Sequence, residues 1–475
     1  MVEFSLINKN KQAQIMCEPD TLSLIRENFS IANPSYRKGS SYFTASRLYS
    51  ITPQGKFEIG LLGEILKFLN VNQYAFNVPQ DLKNLFNPEC KIQNVSVFEN
   101  KTYRSYQEQS IMAACRQGRG VTVIPTAGGK TLIMAGLIKT LFTQKEKNLK
   151  TLVLVPSIQL VEQTASDFLE YGLTSVSKWS GSNEYNPSSD IVVAGTQILM
   201  SDKTDLSVLS EVELLLVDEV HSLKRGNQIN EVLKFINTPQ RFGFTGTLPP
   251  SKIDQWNIIG KMGPVTYEQK THTLKEQSYV SNFKIIILNV KHLNLPSINL
   301  DFALPAAAYQ QEIEFLQSNS RRNQIITNLA NRLSENTLIM VDRIEHGVIL
   351  EDILKKLVES DRPVYFIQGN TEMEDREQIR SLMDSRRDVI VVAISKIFST
   401  GINIPNLHNI IFASAGKAKI KIMQSIGRVL RLHHTKTVAT IFDIADNTKY
   451  GKKHVEERKK IYTQEKYEYS EKEIT

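Results

Sequence analysis

The chain has 475 residues, 41% hydrophobic and 23% charged, with a formal net charge of +7 and a pI of about 9.0; that length allows roughly two to four domains, and the mild excess permits a polyanionic partner without requiring one. Its three cysteines, Cys17, Cys90 and Cys115, are too few and too scattered for a disulfide framework or a metal cluster, which points to a reducing compartment. The polar start "MVEFSLINKNKQAQ" is not a signal peptide and no apolar run approaches the roughly 18 residues of a membrane helix, so a cytoplasmic protein is expected.

Residues 1–100 carry short, aromatic strand-like runs and one clear helical pattern, "GLLGEILKFLN" (60–70). They read as a small α+β domain with balanced charge, 10 Lys/Arg against 9 Asp/Glu. Within it, "SYRKGSSYF" (35–43) sets Arg37 and Lys38 among Tyr36, Tyr42 and Phe43. Phosphate-seeking charge beside aromatic surface suits an accessory nucleic-acid contact, although Phe43 fits the domain's own core equally well.

From about residue 120 the pattern changes. "TLVLVP" (151–156), "IVVAGT" (191–196) and "LLLVDE" (214–219) are apolar without alternation, as are strands buried on both faces of a parallel sheet. Amphipathic segments such as "SIQLVEQTASDFLEYG" (157–172) lie between them. "TLIMVD" (337–342), "VYFIQG" (364–369), "VIVVAI" (389–394) and "NIIFAS" (409–414) repeat the theme. The expected fold class is therefore α/β: two tandem doubly wound parallel-sheet lobes behind a small α+β N-terminal domain. The polar stretch 265–282 separates the lobes, giving domains at 1–100, 101–268 and 269–475. The tail after Gly451 predicts a charged amphipathic helix, either a solvated surface or a nucleic-acid contact. Residues 416–475 carry 14 Lys/Arg against 8 Asp/Glu, which is nearly all the positive excess.

"VIPTAGGKTL" (123–132) follows a strand-like run and opens a helix-like one. It matches the phosphate-loop pattern G-x-x-x-x-G-K-[ST] except that Ile124 stands at the first glycine. In that context Pro125, Thr126, Ala127, Gly128 and Gly129 would wrap a nucleotide's phosphates with backbone N–H groups. Lys130 would neutralise β/γ-phosphate charge and the Thr131 hydroxyl would ligate Mg²⁺. Ile124 sits at the strand end, before the cradle, with its side chain free to face away. "LLLVDEVH" then puts Asp218 and Glu219 at the end of a buried strand, where adjacent acids point to opposite sides, one for the metal and one for the attacking water.

Asp-Glu-Val-His resembles the signature of superfamily 2 helicases, and the remaining motifs of that superfamily stand in order across about residues 101–450. "SYQ" (105–107) resembles the adenine-reading element, with Gln107 on the base. "LVPSIQLVEQ" (154–163) and "VAGTQIL" (193–199) resemble the strand-contacting motifs, "FTGTLP" (244–249) the coupling motif, "FIQGNTEMEDR" (366–376) the segment after motif IV, "FSTGINIPNL" (398–407) motif V and "QSIGRVLR" (424–431) motif VI. The atypical phosphate loop, "YQQEIEFLQSNSRRNQIITNLANRL" (309–333) and "IGRVLRLHHTKTVATIFDIAD" are similar to the UvsW family of phage helicases.

The resemblance implies two RecA-like lobes, ATP and Mg²⁺ as cofactors, and translocation on nucleic acid. It assigns Pro156, Ser157, Gln159, Thr196, Gln197, Ser399 and Thr400 to the bound strand. Gly401 and Asn403 go to the nucleotide edge. His221, Thr245 and Thr247 carry coupling, and Gln424, Arg428 and Arg431 act in catalysis, the arginines as fingers. Asn403 stands where many members have Asp; it keeps an acceptor and loses the charge, so base preference rests mainly on Gln107. The implied substrates are single-stranded and branched DNA and RNA–DNA hybrids. The implied state is a monomer in the host cytoplasm, working beside replication or recombination proteins. An RNA helicase, the motor of a restriction–modification system, and a clamp using ATP only as a switch are the competing readings.

Overall fold

The computed structural model describes residues 1–8, 11–36, 45–86, 92–181, 183–277, 281–293, 305–359, 361–395, 406–414, 426–427 and 438–474. Contacts divide the chain into two compact units, Met1–Ile124 with Gly129–Gln269, and Pro125–Gly128 with Lys270–Thr475. Among the described residues no helix is long and apolar enough to cross a membrane.

The first unit opens with strands β1 (Val2–Asn8), β2 (Gln12–Met16), β3 (Ser30–Ala32), β4 (Arg47–Tyr49), β5 (Lys56–Glu58) and β6 (Phe76–Asn77). They form a mixed four-stranded sheet, β5-β2-β1-β6, and a separate pair, β3-β4. The expected helix runs from Leu62 to Val71, and two more, Pro19–Asn28 and Gln80–Asn84, escape the sequence pattern. Pro19–Asn28 buries only Ile25 fully, so it shows no apolar stripe. This core also takes Trp256 and Ile259 from the helix Lys252–Met262. The Phe29 and Trp256 ring centroids lie 5.4 Å apart, and Lys261 Nζ sits 3.3 Å from Glu58 Oε1.

Strands β7 (Gly120–Val123), β8 (Thr151–Val155), β9 (Val176–Trp179), β10 (Ile191–Gly195), β11 (Leu214–Val217), β12 (Arg241–Thr245) and β13 (Val265–Glu268) make the larger sheet of this unit. Its order is β13-β7-β12-β11-β8-β10-β9, with every pairing parallel. The helices Lys130–Lys145 and Ile158–Tyr171 link successive strands. All residues of β8, β10 and β11 are buried, which is why those runs lack alternation.

The second unit carries β14 (Asn282–Val290), β15 (Thr337–Val341), β16 (Val364–Ile367), β17 (Ile390–Ile394), β18 (Asn409–Phe412), β19 (Val438–Asp446) and β20 (Tyr469–Ile474). They form a second all-parallel sheet, β16-β17-β15-β18-β19-β14-β20. The α/β expectation of two doubly wound sheets behind a small mixed domain is met. The tail departs from the single helix expected: it is a helix only over Lys449–Gln464, then pairs through β20 with β14. β20 is an edge strand of exposed, charged residues, so no buried alternation marks it.

Candidate functional site

Register aligns the C-terminal ends of the first unit's strands. Thr245 pairs with Val123 and Gly243 with Val217, so the phosphate-loop strand, the coupling segment and the paired acids end side by side. Ile124 extends the ladder, donating its N–H to Thr245 O at 2.9 Å, and its side chain is fully buried. A side chain inside the sheet does not obstruct the loop that follows.

The turn Pro125–Gly128 closes on itself, Gly128 N donating to Pro125 O at 2.9 Å, with Ala127 at φ +69°. Gly129 precedes the helix Lys130–Lys145 at φ +76°. A Cβ there would stand 2.5 Å from Gln107 Nε2, so glycine is required both by conformation and by space. Gln107 is buried, and its Oε1 accepts the Arg104 N–H at 2.9 Å.

Lys130 Nζ lies 3.5 Å from Glu219 Oε1. β11 ends at Val217, and Glu219 adopts φ +48°. The two acids therefore separate through a turn past the strand end, not through strand alternation as the sequence suggests. Asp218 Oδ1 accepts the Glu219 N–H at 2.9 Å. Burial first, and the Glu219 charge second, raise the Asp218 carboxyl above its ordinary value, against the pull of Lys130.

The short turn Val220–Ser222 packs over Gly243, where a Cβ would come within 2.8 Å of Val220 Cγ2. That approach brings His221 Nδ1 to 3.1 Å from Glu219 Oε2 and 3.0 Å from Thr245 Oγ1. Thr245 Oγ1 donates to Thr247 O at 3.0 Å and receives the Thr247 N–H at 3.3 Å. A hydroxyl that donates to Thr247 accepts from His221, which puts the proton on Nδ1. Lys130, Glu219, His221, Thr245 and Thr247 thus form one chain, the first two links close charge contacts and the rest hydrogen bonds.

At the other half of the same edge, β8, β10 and β9 end around a hollow of about 190 Å³. Pro156, Ser157 and Gln197 line it, together with Ser180 and Gly181, which the sequence reading missed. Among the described residues Ser180 Oγ is buried with no hydrogen-bond partner. Ser180 reaches Ser157 through the pairing of β9 with β10 and of β10 with β8, so no local signal marks it. Ser157 Oγ also caps the helix Ile158–Tyr171, accepting the Leu160 N–H at 3.3 Å. Gln159 and Thr196 are partly exposed and are not among the hollow's lining residues. Thr131 opens the second position of the phosphate-loop helix. Ser399, Thr400, Gly401, Asn403, Gln424, Arg428 and Arg431 lie outside the described residues, as do Arg37, Lys38, Tyr42, Phe43 and Cys90.

Two all-parallel sheets, one of them ending in a glycine-rich turn beside an acid pair that His221 joins to Thr245, make the frame of a nucleotide-driven motor. Residues 100–250 match the model of the type III restriction enzyme res subunit, and residues 320–433 that of the helicase conserved C-terminal domain. The chain is an ATP-hydrolysing DNA helicase of superfamily 2. It is similar over its length to the ATP-dependent DNA helicase uvsW of Enterobacteria phage T4, at 29% identity over 96% of each chain. It is 23% identical to the DNA 3'-5' helicase XPB of Kineococcus radiotolerans, over 77% of this chain and 64% of that one. In fold it matches an HsdR fragment of a type I restriction enzyme from Vibrio vulnificus, with a TM-score of 0.61 at 17% identity, covering 90% and 75% of the two chains.

Proposed function

We propose that this helicase remodels branched DNA (forks, four-way junctions and RNA–DNA loops) and works as a monomer in the host cytoplasm. The observation that carries this is the full-length likeness to the UvsW relative, which takes in the N-terminal domain as well as the motor. The domains divide at 1–100, 101–268 and 269–475.

ATP binds at the phosphate loop, with Lys130 on the β/γ-phosphates and Gln107 toward the base. Mg²⁺ fits the donors present. Thr131 and Asp218 supply two hard oxygens, and Mg²⁺ commonly takes only one or two protein ligands and keeps its waters. A cation there offsets the burial that disfavours the Asp218 carboxylate; bound, it would neutralise charge on the phosphates. Glu219 accepts a proton from the attacking water, held in place by His221. The hollow at Ser157, Gln197 and Ser180 takes one strand through its phosphates, without base preference, as suits a motor that moves over any sequence. Ser180 supports that reading because its buried hydroxyl, without a partner among the described residues, is completed by a phosphate oxygen.

The test is unwinding over a panel of forks, four-way junctions, RNA–DNA loops, and linear DNA and RNA duplexes. Branched DNA is expected to be processed in preference to linear duplex. Equal unwinding of RNA duplexes, or failure on every branched substrate, would overturn the reading.

A further inference from the structure

A second surface lies at the C-terminal ends of β15, β18 and β19 in the second unit. The helix Lys449–Gln464 starts there and carries Lys449, Lys452 and Lys453 in its first five residues, all exposed. Positions i, i+3 and i+4 share one face. Cations at a helix N-terminus oppose the macrodipole, so these lysines are not placed for stability. The helix's own first N–H groups are already taken: Glu312, buried beneath them, accepts from Tyr450 N at 2.9 Å, Gly451 N at 2.9 Å and the Thr448 hydroxyl at 2.7 Å.

Later lysines of the same helix are matched. Lys459 meets Glu456 at 3.2 Å and Glu471 at 2.9 Å, and Lys460 meets Glu457 at 2.8 Å. Among the described residues Lys449, Lys452 and Lys453 make no such pair. Arg343, exposed at the end of β15, adds a fourth cation where Tyr309, Gly451 and His454 line a cavity of about 90 Å³. Asp342 is the exposed carboxylate at that mouth.

The aromatics here are spent on one another. Tyr309 packs edge-on against Tyr450, with centroids 5.1 Å apart, and against His454 at 5.7 Å; Lys449 Nζ lies 5.6 Å over the Tyr450 ring. Tyr309 is exposed and Tyr450 half-buried, so the pair forms an aromatic platform at the foot of the helix, with Lys449 held over one ring. Three exposed point charges on one helix face, standing apart from the strand hollow, suit the regularly spaced phosphates of a duplex backbone.

We propose that Lys449, Lys452 and Lys453, on the platform of Tyr309 and Tyr450, grip the phosphate backbone of a duplex arm of the DNA substrate. The surface rests on the DNA-helicase reading of the chain and adds a contact apart from the strand hollow of the first unit. The test compares the full-length wild type with K449A/K452A/K453A, using fluorescence anisotropy on a blunt DNA duplex and on a single-stranded oligonucleotide from 50 to 200 mM salt, about the range over which phosphate contacts are read. The duplex is expected to bind more weakly to the variant, with its log Kd–log salt slope reduced by about 0.9 per lysine in contact, and the arginine triple variant K449R/K452R/K453R is expected to restore it. Single-stranded affinity should change little. An unchanged duplex slope, an equal loss on single strands, or a wild type that binds no duplex would overturn the surface. A failure of the helicase reading shows separately, as absent DNA-stimulated ATP hydrolysis in the wild type. Thermal unfolding should be unchanged or raised in the variant, which separates lost binding from lost folding.

Discussion

Glu219 is the residue on which the nucleotide half turns. Its two oxygens are divided between Lys130 at 3.5 Å and His221 at 3.1 Å. In the proposed site a γ-phosphate would compete for Lys130 and leave Glu219 to His221 and to water. Glu219→Gln keeps the shape and an acceptor but loses the basicity. It should bind ATP within a few-fold of wild type while turnover falls on the order of 10²-fold or more; Lys130→Ala should lose both. Calorimetric affinity beside single-turnover hydrolysis decides this, and near-normal turnover in Glu219→Gln would remove the assigned role. This half was legible in the sequence because its groups are neighbours along the chain: Gly129-Lys130-Thr131 and Asp218-Glu219. Ser180 was not, since an isolated Ser-Gly gains meaning only when β9 pairs with β10.

Elements were legible to the degree that they are buried. β8, β10, β11 and β15 are fully buried, and each stood out as an apolar run. β20 and the helix Pro19–Asn28 were not visible, because an exposed edge strand and a weakly buried helix leave little pattern. The helix Lys252–Met262 belongs by sequence to the motor, yet its Trp256 and Ile259 complete the N-terminal core. Deleting the N-terminal domain would therefore strip cover from Trp256 and Ile259. Trp256→Ala should destabilise the first unit by about 3 kcal/mol, as expected for removing a packed Trp. Denaturant unfolding that matched wild type would show that the two cores are independent.

In the second unit, His346 is buried between Asn323 Oδ1 at 3.0 Å and Ser414 Oγ at 3.2 Å. Burial, then the Arg322 charge, lowers its pKa to about 3. The folded chain holds this His neutral while an unfolded one takes a proton below about pH 6.5. Stability is therefore complete above that value and declines as pH falls toward 3, by at most about 1.4 kcal/mol per pH unit from this group. His346→Gln should flatten the dependence of Tm on pH between 6.5 and 4; an unaltered slope would exclude His346 as its source.

At the scale of the whole molecule, a motor must make hydrolysis depend on its track. The first sheet shows how the two halves of one edge can be joined. β7, β12 and β11 end at the phosphate loop, the coupling segment and the acids, while β8, β10 and β9 end at the hollow; β11 and β8 are neighbours. Thr245 stands among the nucleotide-side groups, bound to His221 on one side and to both backbone groups of Thr247 on the other. Valine matches threonine in shape and removes every one of those bonds. Neither Lys130 nor Glu219 bonds Thr245 directly, so Thr245→Val should leave ATP affinity and unstimulated hydrolysis within roughly 3-fold of wild type. Stimulation by single-stranded DNA should fall on the order of 10-fold, inside the usual span of coupling free energies, and unwinding should fall with it. Steady-state hydrolysis with and without DNA, together with strand-displacement rates, measures both. A Thr245→Val protein that DNA stimulates as fully as wild type would mean that the signal runs by another path, and a protein that cannot hydrolyse ATP even without DNA would make Thr245 part of the chemistry instead of its link to the track.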